Sequence, residues 1–295
     1  MPPRAPLLPL HRTARAGLVA AAAVLASACT PLGVFNTFVP HDPALRRATG
    51  QAYGTAPRQT LDVYAPRRIE APRPIAVFFY GGSWETGRRQ DYEWTARALA
   101  AKGFVVVLPD YRLYPAVRFP AFLEDGALAV RWAADHGPAY GGDPGRIVLL
   151  GHSAGAYNAV MLALDEHYLK AAGVDPRAVK AVAGLAGPYD FLPLKGAGAT
   201  NVFGQQLDLA TTQPATFARP DAPPMFLATG EADAEVPPRD TAYLAAALRR
   251  AGASVEERHY PGLDHNDVMK AIARPFRSLA PLLDEMSAFL HEKAG

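Results

Sequence analysis

The runs Ile75-Ala76-Val77-Phe78-Phe79-Tyr80, Phe104-Val105-Val106-Val107-Leu108 and Ile147-Val148-Leu149-Leu150 contain no charged residue. A strand with one wet face alternates apolar and polar side chains, so an unbroken apolar run marks a strand covered on both faces. Segments with helical spacing lie between these runs. Tyr92, Ala96 and Leu99 fall on one face of a helix over 91–101 that stops at Gly103, and Leu128 and Trp132 stand four apart in a helix over 122–134. Further strands are expected over 60–64, 179–185, 224–229 and 254–260, and further helices over 154–164, 239–250 and 279–290. Covered strands alternating with helices imply an α/β fold, a mostly parallel sheet doubly wound by helices. Residues 187–223 break the rhythm with Gly, Thr, Gln and Pro and read as a short cap insertion.

The N-terminal stretch obeys different rules. Residues 1–28 hold Arg4, Arg12 and Arg15 and no acidic residue, and Arg15 is followed by a short apolar run from Ala16 to Leu25. That run is too short to span a bilayer comfortably but suits a cleaved signal peptide. Ala26-Ser27-Ala28 then leads into Cys29, the only cysteine of the chain. The segment resembles a bacterial lipoprotein signal, with Ala26 where leucine is usual. The resemblance implies cleavage before Cys29, a lipid on its thiol, and a cell-envelope location (outer membrane or periplasm). A plain secretory signal is the alternative. Residues 29–52, punctuated by Pro31, Gly33, Pro40 and Pro43, read as a tether or an edge extension, which leaves 53–295 as one domain. The formal charge of +2 and the absence of a basic cluster exclude a nucleic-acid partner, and without residues 1–28 the balance becomes 27 basic against 28 acidic residues.

Gly151-His152-Ser153-Ala154-Gly155 carries the chemistry. It is a G-x-S-x-G motif that closes a buried strand and opens a helix. There the serine hydroxyl is projected by a strained turn and the helix N-terminus adds positive potential. Serine needs a base beside it, and the base needs an orienting carboxylate. After the strand 224–229 stand three carboxylates, Glu231, Asp233 and Glu235. After the last strand His265 follows a Pro261-Gly262 turn and precedes a helix, which makes it the base. His259 lies inside the strand, where sheet alternation fixes its direction. No His/Asp spacing resembles a metal loop, and no nucleotide fingerprint is present.

Several segments together resemble the α/β-hydrolase esterases, close to the hormone-sensitive-lipase-like carboxylesterases. Tyr80-Gly81-Gly82-Ser83-Trp84 resembles the H-G-G-x-W loop, with Tyr80 in place of histidine. Leu108-Pro109-Asp110-Tyr111-Arg112-Leu113, Phe119-Pro120-Ala121 with Glu124-Asp125, and Tyr140-Gly141-Gly142-Asp143-Pro144-Gly145-Arg146-Ile147 resemble three further family segments. The resemblance covers 58–292. It implies an α/β-hydrolase fold and hydrolysis of short- to medium-chain carboxylic esters through an acyl-enzyme, without cofactor or metal. It selects Asp233 to complete a triad with Ser153 and His265, by the family's G-x-x-D pattern before V-P. It assigns the oxyanion hole to Gly81, Gly82 and Ala154, with Ser83 a neighbouring candidate. Tyr80 and Trp84 are candidates to line the substrate pocket, with loop packing the other reading for Trp84. An amide, formamide or peptide hydrolase on the same scaffold is the alternative activity, and a non-catalytic surface binding module the alternative class.

Overall fold

A computed structural model describes residues 31–295, so the expected leader over 1–28 and lipid attachment at Cys29 lie outside the described residues. In chain order the elements are α1 (Pro31–Phe38), β1 (Ala44–Ala52), β2 (Thr60–Pro66), β3 (Arg73–Phe79), α2 (Glu93–Ala101), β4 (Val105–Pro109), α3 (Ala121–His136), β5 (Gly142–His152), α4 (Ala154–Leu164), α5 (His167–Ala171), β6 (Val179–Leu185), α6 (Gly196–Phe203), β7 (Met225–Gly230), α7 (Pro238–Ala251), β8 (Val255–Tyr260), α8 (His265–Lys270) and α9 (Leu282–Ala294). The eight strands form one sheet in the order β1-β2-β4-β3-β5-β6-β7-β8. From β4 to β8 every pairing is parallel, and only the β1–β2 and β2–β4 pairings are antiparallel.

The charge-free runs occupy the middle of this sheet. Ile75 to Phe79, Val105 to Leu108 and Ile147 to Leu150 are buried throughout. Helices α4 and α9 both pack on β5 and β6, which covers the central strands. The strand order reverses direction beside β3 and β5, where crossovers to either side part and leave a crevice at the strands' C-terminal ends. The loops after β3, β5, β7 and β8 therefore converge there. The insertion between β6 and β7 carries α6 and two short 3-10 turns, 209–212 and 214–217.

From residue 31 onward, the stretch expected as a tether or edge extension builds α1 and the edge strand β1. It shows no period because its pairing with β2 shifts register between Arg46 and Ala48 and again between Ala48 and Gln51. Each bulge resets which side chains point inward, so no alternation survives in the sequence. Polar anchors hold it instead. Arg46 pairs with Glu93, and Arg97 donates to the Ala44 carbonyl.

One ionic node ties this edge to the end of β3. Arg89 donates to Asp62 at 2.8 Å and also pairs with Asp110, while its backbone N–H reaches Asp110 Oδ1 at 2.7 Å. All three side chains are buried. Removing one member of a buried ionic group leaves its partners charged in a poorly solvating interior. Arg89→Met is therefore expected to destabilise the chain by about 3–5 kcal/mol, read as a lower urea midpoint with an unchanged slope.

Candidate active site

The site begins with a backbone conformation. Ser153 sits at φ 54° and ψ −124°, a left-handed position for a residue with a side chain, between β5 and α4. Strain of this kind costs about 1–3 kcal/mol and persists only where surroundings over-determine it. Here they do. A Cβ on Gly155 would lie 2.0 Å from the Phe79 carbonyl oxygen, and one on Gly151 would lie 2.1 Å from the Gly155 oxygen. The turn can thus close onto the end of β3 only with glycine at both positions. The Ser153 N–H is bound to the Leu185 carbonyl at 2.9 Å, which fixes the turn against β6.

The β3 loop meets the serine directly. A Cβ on Gly81 would stand 3.0 Å from the Ser153 Cβ and 3.1 Å from the His152 carbonyl oxygen. This places the Gly81 backbone against the serine itself. The N–H groups of Gly82, Ser83 and Ala154 donate no hydrogen bond within the described residues. Ala154 opens α4, so its N–H points out of a helix N-terminus with the attendant positive potential. The Gly81 N–H likewise donates none, so the expected donors, Gly81, Gly82 and Ala154 with Ser83 beside them, are all uncommitted.

Tyr80 does not line a pocket. It is fully buried, stacked between Tyr92 at 5.4 Å and Tyr111 at 4.8 Å. Its hydroxyl donates to Asp110 Oδ1 at 2.9 Å and accepts from Arg58 at 2.7 Å. It therefore holds the loop from beneath, linking it to the ionic node. Trp84 is also buried. Its indole N–H donates to Asn158 at 3.0 Å, and its ring meets Tyr157 and Phe203 edge-on. Phe203 comes from α6, so Trp84 clamps the loop to the cap. Trp84 thus follows its loop-packing reading, whereas Tyr80, a candidate for the pocket, is enclosed by Tyr92, Tyr111 and Asp110, whose approach its place after β3 does not reveal.

Asp233 and His265 meet across two loops. The His265 Nδ1 lies 2.7 Å from Asp233 Oδ2, with both side chains buried. A carboxylate can only accept, so Nδ1 carries the proton and Nε2 is left with a free lone pair. Asp233 Oδ1 accepts from the N–H groups of Glu235 at 2.9 Å and Val236 at 2.8 Å. Burial works to raise the Asp233 carboxyl, but the hydrogen bond from His265 and those two N–H groups outweigh it and hold it below the usual carboxylate range. Glu231 and Glu235 are exposed, and Glu235 reaches only Asn266, at 3.5 Å. His265 is placed by a capping box. Asp264 accepts from the N–H of Asn266 and Asp267, and the Asp267 carboxylate accepts from the Asp264 N–H, so α8 starts at His265 itself. His259 lies away on β8, bonded to Glu257 at 2.8 Å.

His152 joins the two halves. The His152 Nε2 lies 3.0 Å from the His265 carbonyl oxygen, and its ring is 4.6 Å from that of His265. Burial, then the neighbouring His265, push its pKa down to about 3 from 6.5. Unfolding therefore takes up a proton at this residue anywhere between those values, and stability rises with pH across that window. Between pH 4.5 and pH 7 the contribution of His152 is about 2–3 kcal/mol. His152→Gln is expected to flatten the acid side of the stability profile by that amount, checked by urea midpoints at the two pH values.

Residues 61–248 match the family model BD-FAE. Similar curated proteins include the probable isoprenylcysteine alpha-carbonyl methylesterase ICME of Oryza sativa subsp. japonica, 30% identical over 73% of this chain and 57% of that protein. Carboxylesterase NlhH of Mycobacterium tuberculosis is 32% identical over 72% of each chain. The chain spans only 52–61% of the length of the five methylesterase-named relatives. Among solved structures, esterase B from Lactobacillus rhamnosis, inhibited by a tributyrin phosphonate, superposes with a TM-score of 0.79 at 21% identity, covering 95% of this chain and 96% of that one. The Pyrobaculum calidifontis esterase gives 0.70 at 23% identity over 89% of each.

Proposed function

From the premise that the chain belongs to the BD-FAE family and has the α/β-hydrolase fold, we propose that it is a serine carboxylesterase acting on short- to medium-chain esters. The observation that carries the reading is the buried Asp233–His265 pair, whose histidine packs against His152, the residue that precedes a serine held in a strained strand-to-helix turn. In this mechanism Ser153 attacks the ester carbonyl and His265 Nε2 takes its proton. Asp233 keeps His265 in the tautomer that accepts at Nε2 and stabilises the imidazolium. The N–H groups of Gly81, Gly82 and Ala154, with Ser83 beside them, hold the oxyanion, each donor worth about 3 kcal/mol of transition-state stabilisation. His265 then protonates the leaving alcohol, and afterwards activates the water that releases the acid.

The test is labelling by a fluorophosphonate together with hydrolysis of p-nitrophenyl acetate and butyrate. Ser153→Ala is expected to abolish labelling and to lower kcat/KM by about 10⁴-fold or more. Labelling or turnover that survives this substitution contradicts the assignment. The same assay extended along the acyl series is expected to show falling rates from butyrate to palmitate, because the cap is short and its Phe191 and Phe203 are packed against Tyr157.

The chain is further read as an exported lipoprotein of the cell envelope. The basic residues, short apolar run and small residues ahead of Cys29 support this. Incorporation of labelled palmitate in a bacterial host is expected for the full chain and should vanish in Cys29→Ser. Equal labelling of both contradicts it.

A further inference from the structure

Helix α1 precedes the stretch that the family model matches, yet it borders the candidate site. Leu32 and Phe35 line a cavity of about 330 Å³ together with Trp94, Met269, His152 and Asn266. The first four of these are apolar, and Lys270 is the charged residue of the lining. His152 immediately precedes the serine and holds the His265 carbonyl, and Asn266 immediately follows the base. Neither Ser153 nor His265 lines it, so the cavity meets the site through His152 and Asn266, the neighbours of the serine and the base.

The wall formed by α1 is pinned in place. The Asn36 side chain donates to the Gln90 carbonyl at 3.1 Å and accepts from the Trp94 N–H at 3.1 Å. The Phe35 ring meets Trp94 edge-on at 5.4 Å and stacks on Phe276 at 5.9 Å. A helix fastened this way gives the cavity a defined width.

We propose that this cavity binds the apolar group of the ester's alcohol, and that Leu32 and Phe35 set the size of alcohol accepted. The inference rests on the reading of the chain as an ester hydrolase. Its chemical basis is that the leaving oxygen must take its proton from His265, so the alcohol's substituent lies on the side of that residue. An apolar cavity of about 150 Å³ already accommodates benzene, so this one suits an alkyl or arylalkyl alcohol such as a hexyl or 2-phenylethyl group. Each methylene buried there is worth about fourfold in kcat/KM.

The experiment varies the alcohol at constant acyl group, with ethyl, butyl, hexyl and 2-phenylethyl acetates, and the acyl group at constant alcohol, with ethyl acetate to ethyl hexanoate. Leu32→Trp, which fills the cavity, is expected to lower the hexyl-to-ethyl ratio of kcat/KM about tenfold, and Leu32→Ala to raise the 2-phenylethyl-to-ethyl ratio. The acyl series keeps its wild-type pattern in both variants. A change confined to the acyl series, or equal losses at every alcohol, overturns the proposal. Binding of 2-phenylethanol, measured by calorimetry, separates this from failure of the esterase reading. Wild-type binding that Leu32→Trp removes supports the pocket even in a protein that hydrolyses none of these esters. Binding that is absent in wild type, or unchanged in the variant, overturns it.

Discussion

The approach of the turn at Ser153 to the end of β3 governs the rest of this site. Gly155 lies against the Phe79 carbonyl and Gly81 against the Ser153 side chain, with no room for a methyl group between Gly155 and β3. That proximity puts a serine hydroxyl, a helix N-terminus and a loop of backbone donors within reach of one small volume. It also explains why Ser153 tolerates an unfavourable backbone conformation. The parallel ladder of β5 with β3 and β6 and the bond from the Ser153 N–H to Leu185 leave the turn no lower-energy alternative.

Two buried polar groups then hold what the turn assembles. Asp110 gathers the Tyr80 hydroxyl, the Arg89 N–H and the Arg89 side chain, so the β3 loop, the following 3-10 turn and the antiparallel edge are tied to one carboxylate. His152 lies between the β3 loop and the His265 loop, kept neutral by burial and by the second imidazole. Preorganisation at the serine thus depends on side chains that do not touch the serine oxygen. The arrangement has an energetic cost on the acid side, where the unfolded chain can protonate His152 and the folded chain cannot.

The central strands were legible because burial on both faces removes every charge from a strand. The elbow was legible because a strained turn admits few residue types. His265 could be read from its place after the last strand and before a helix start, and the Asp264–Asp267 box is a local signal of the same kind. The edge was not legible. Arg46, Arg47 and Gln51 of β1 carry no period, since bulges and exposure replace the packing that would impose one. Helix α1 has eight residues with none buried, so its position depends on Asn36, Phe35 and the surface they meet rather than on an amphipathic pattern.

Sequence by itself determined the layered sheet, the order of serine, carboxylate and histidine, and the loops on which they ride. These follow from local rules, a period, a turn or a cap, that act within a few residues. Only the tertiary structure decided which carboxylate meets His265 and that Tyr80 braces the β3 loop from below. It also brought a helix from the far end of the chain to the edge of the site. Each of these is a contact between segments distant in sequence, and the direction of a side chain across such a gap is fixed by packing that no local pattern encodes.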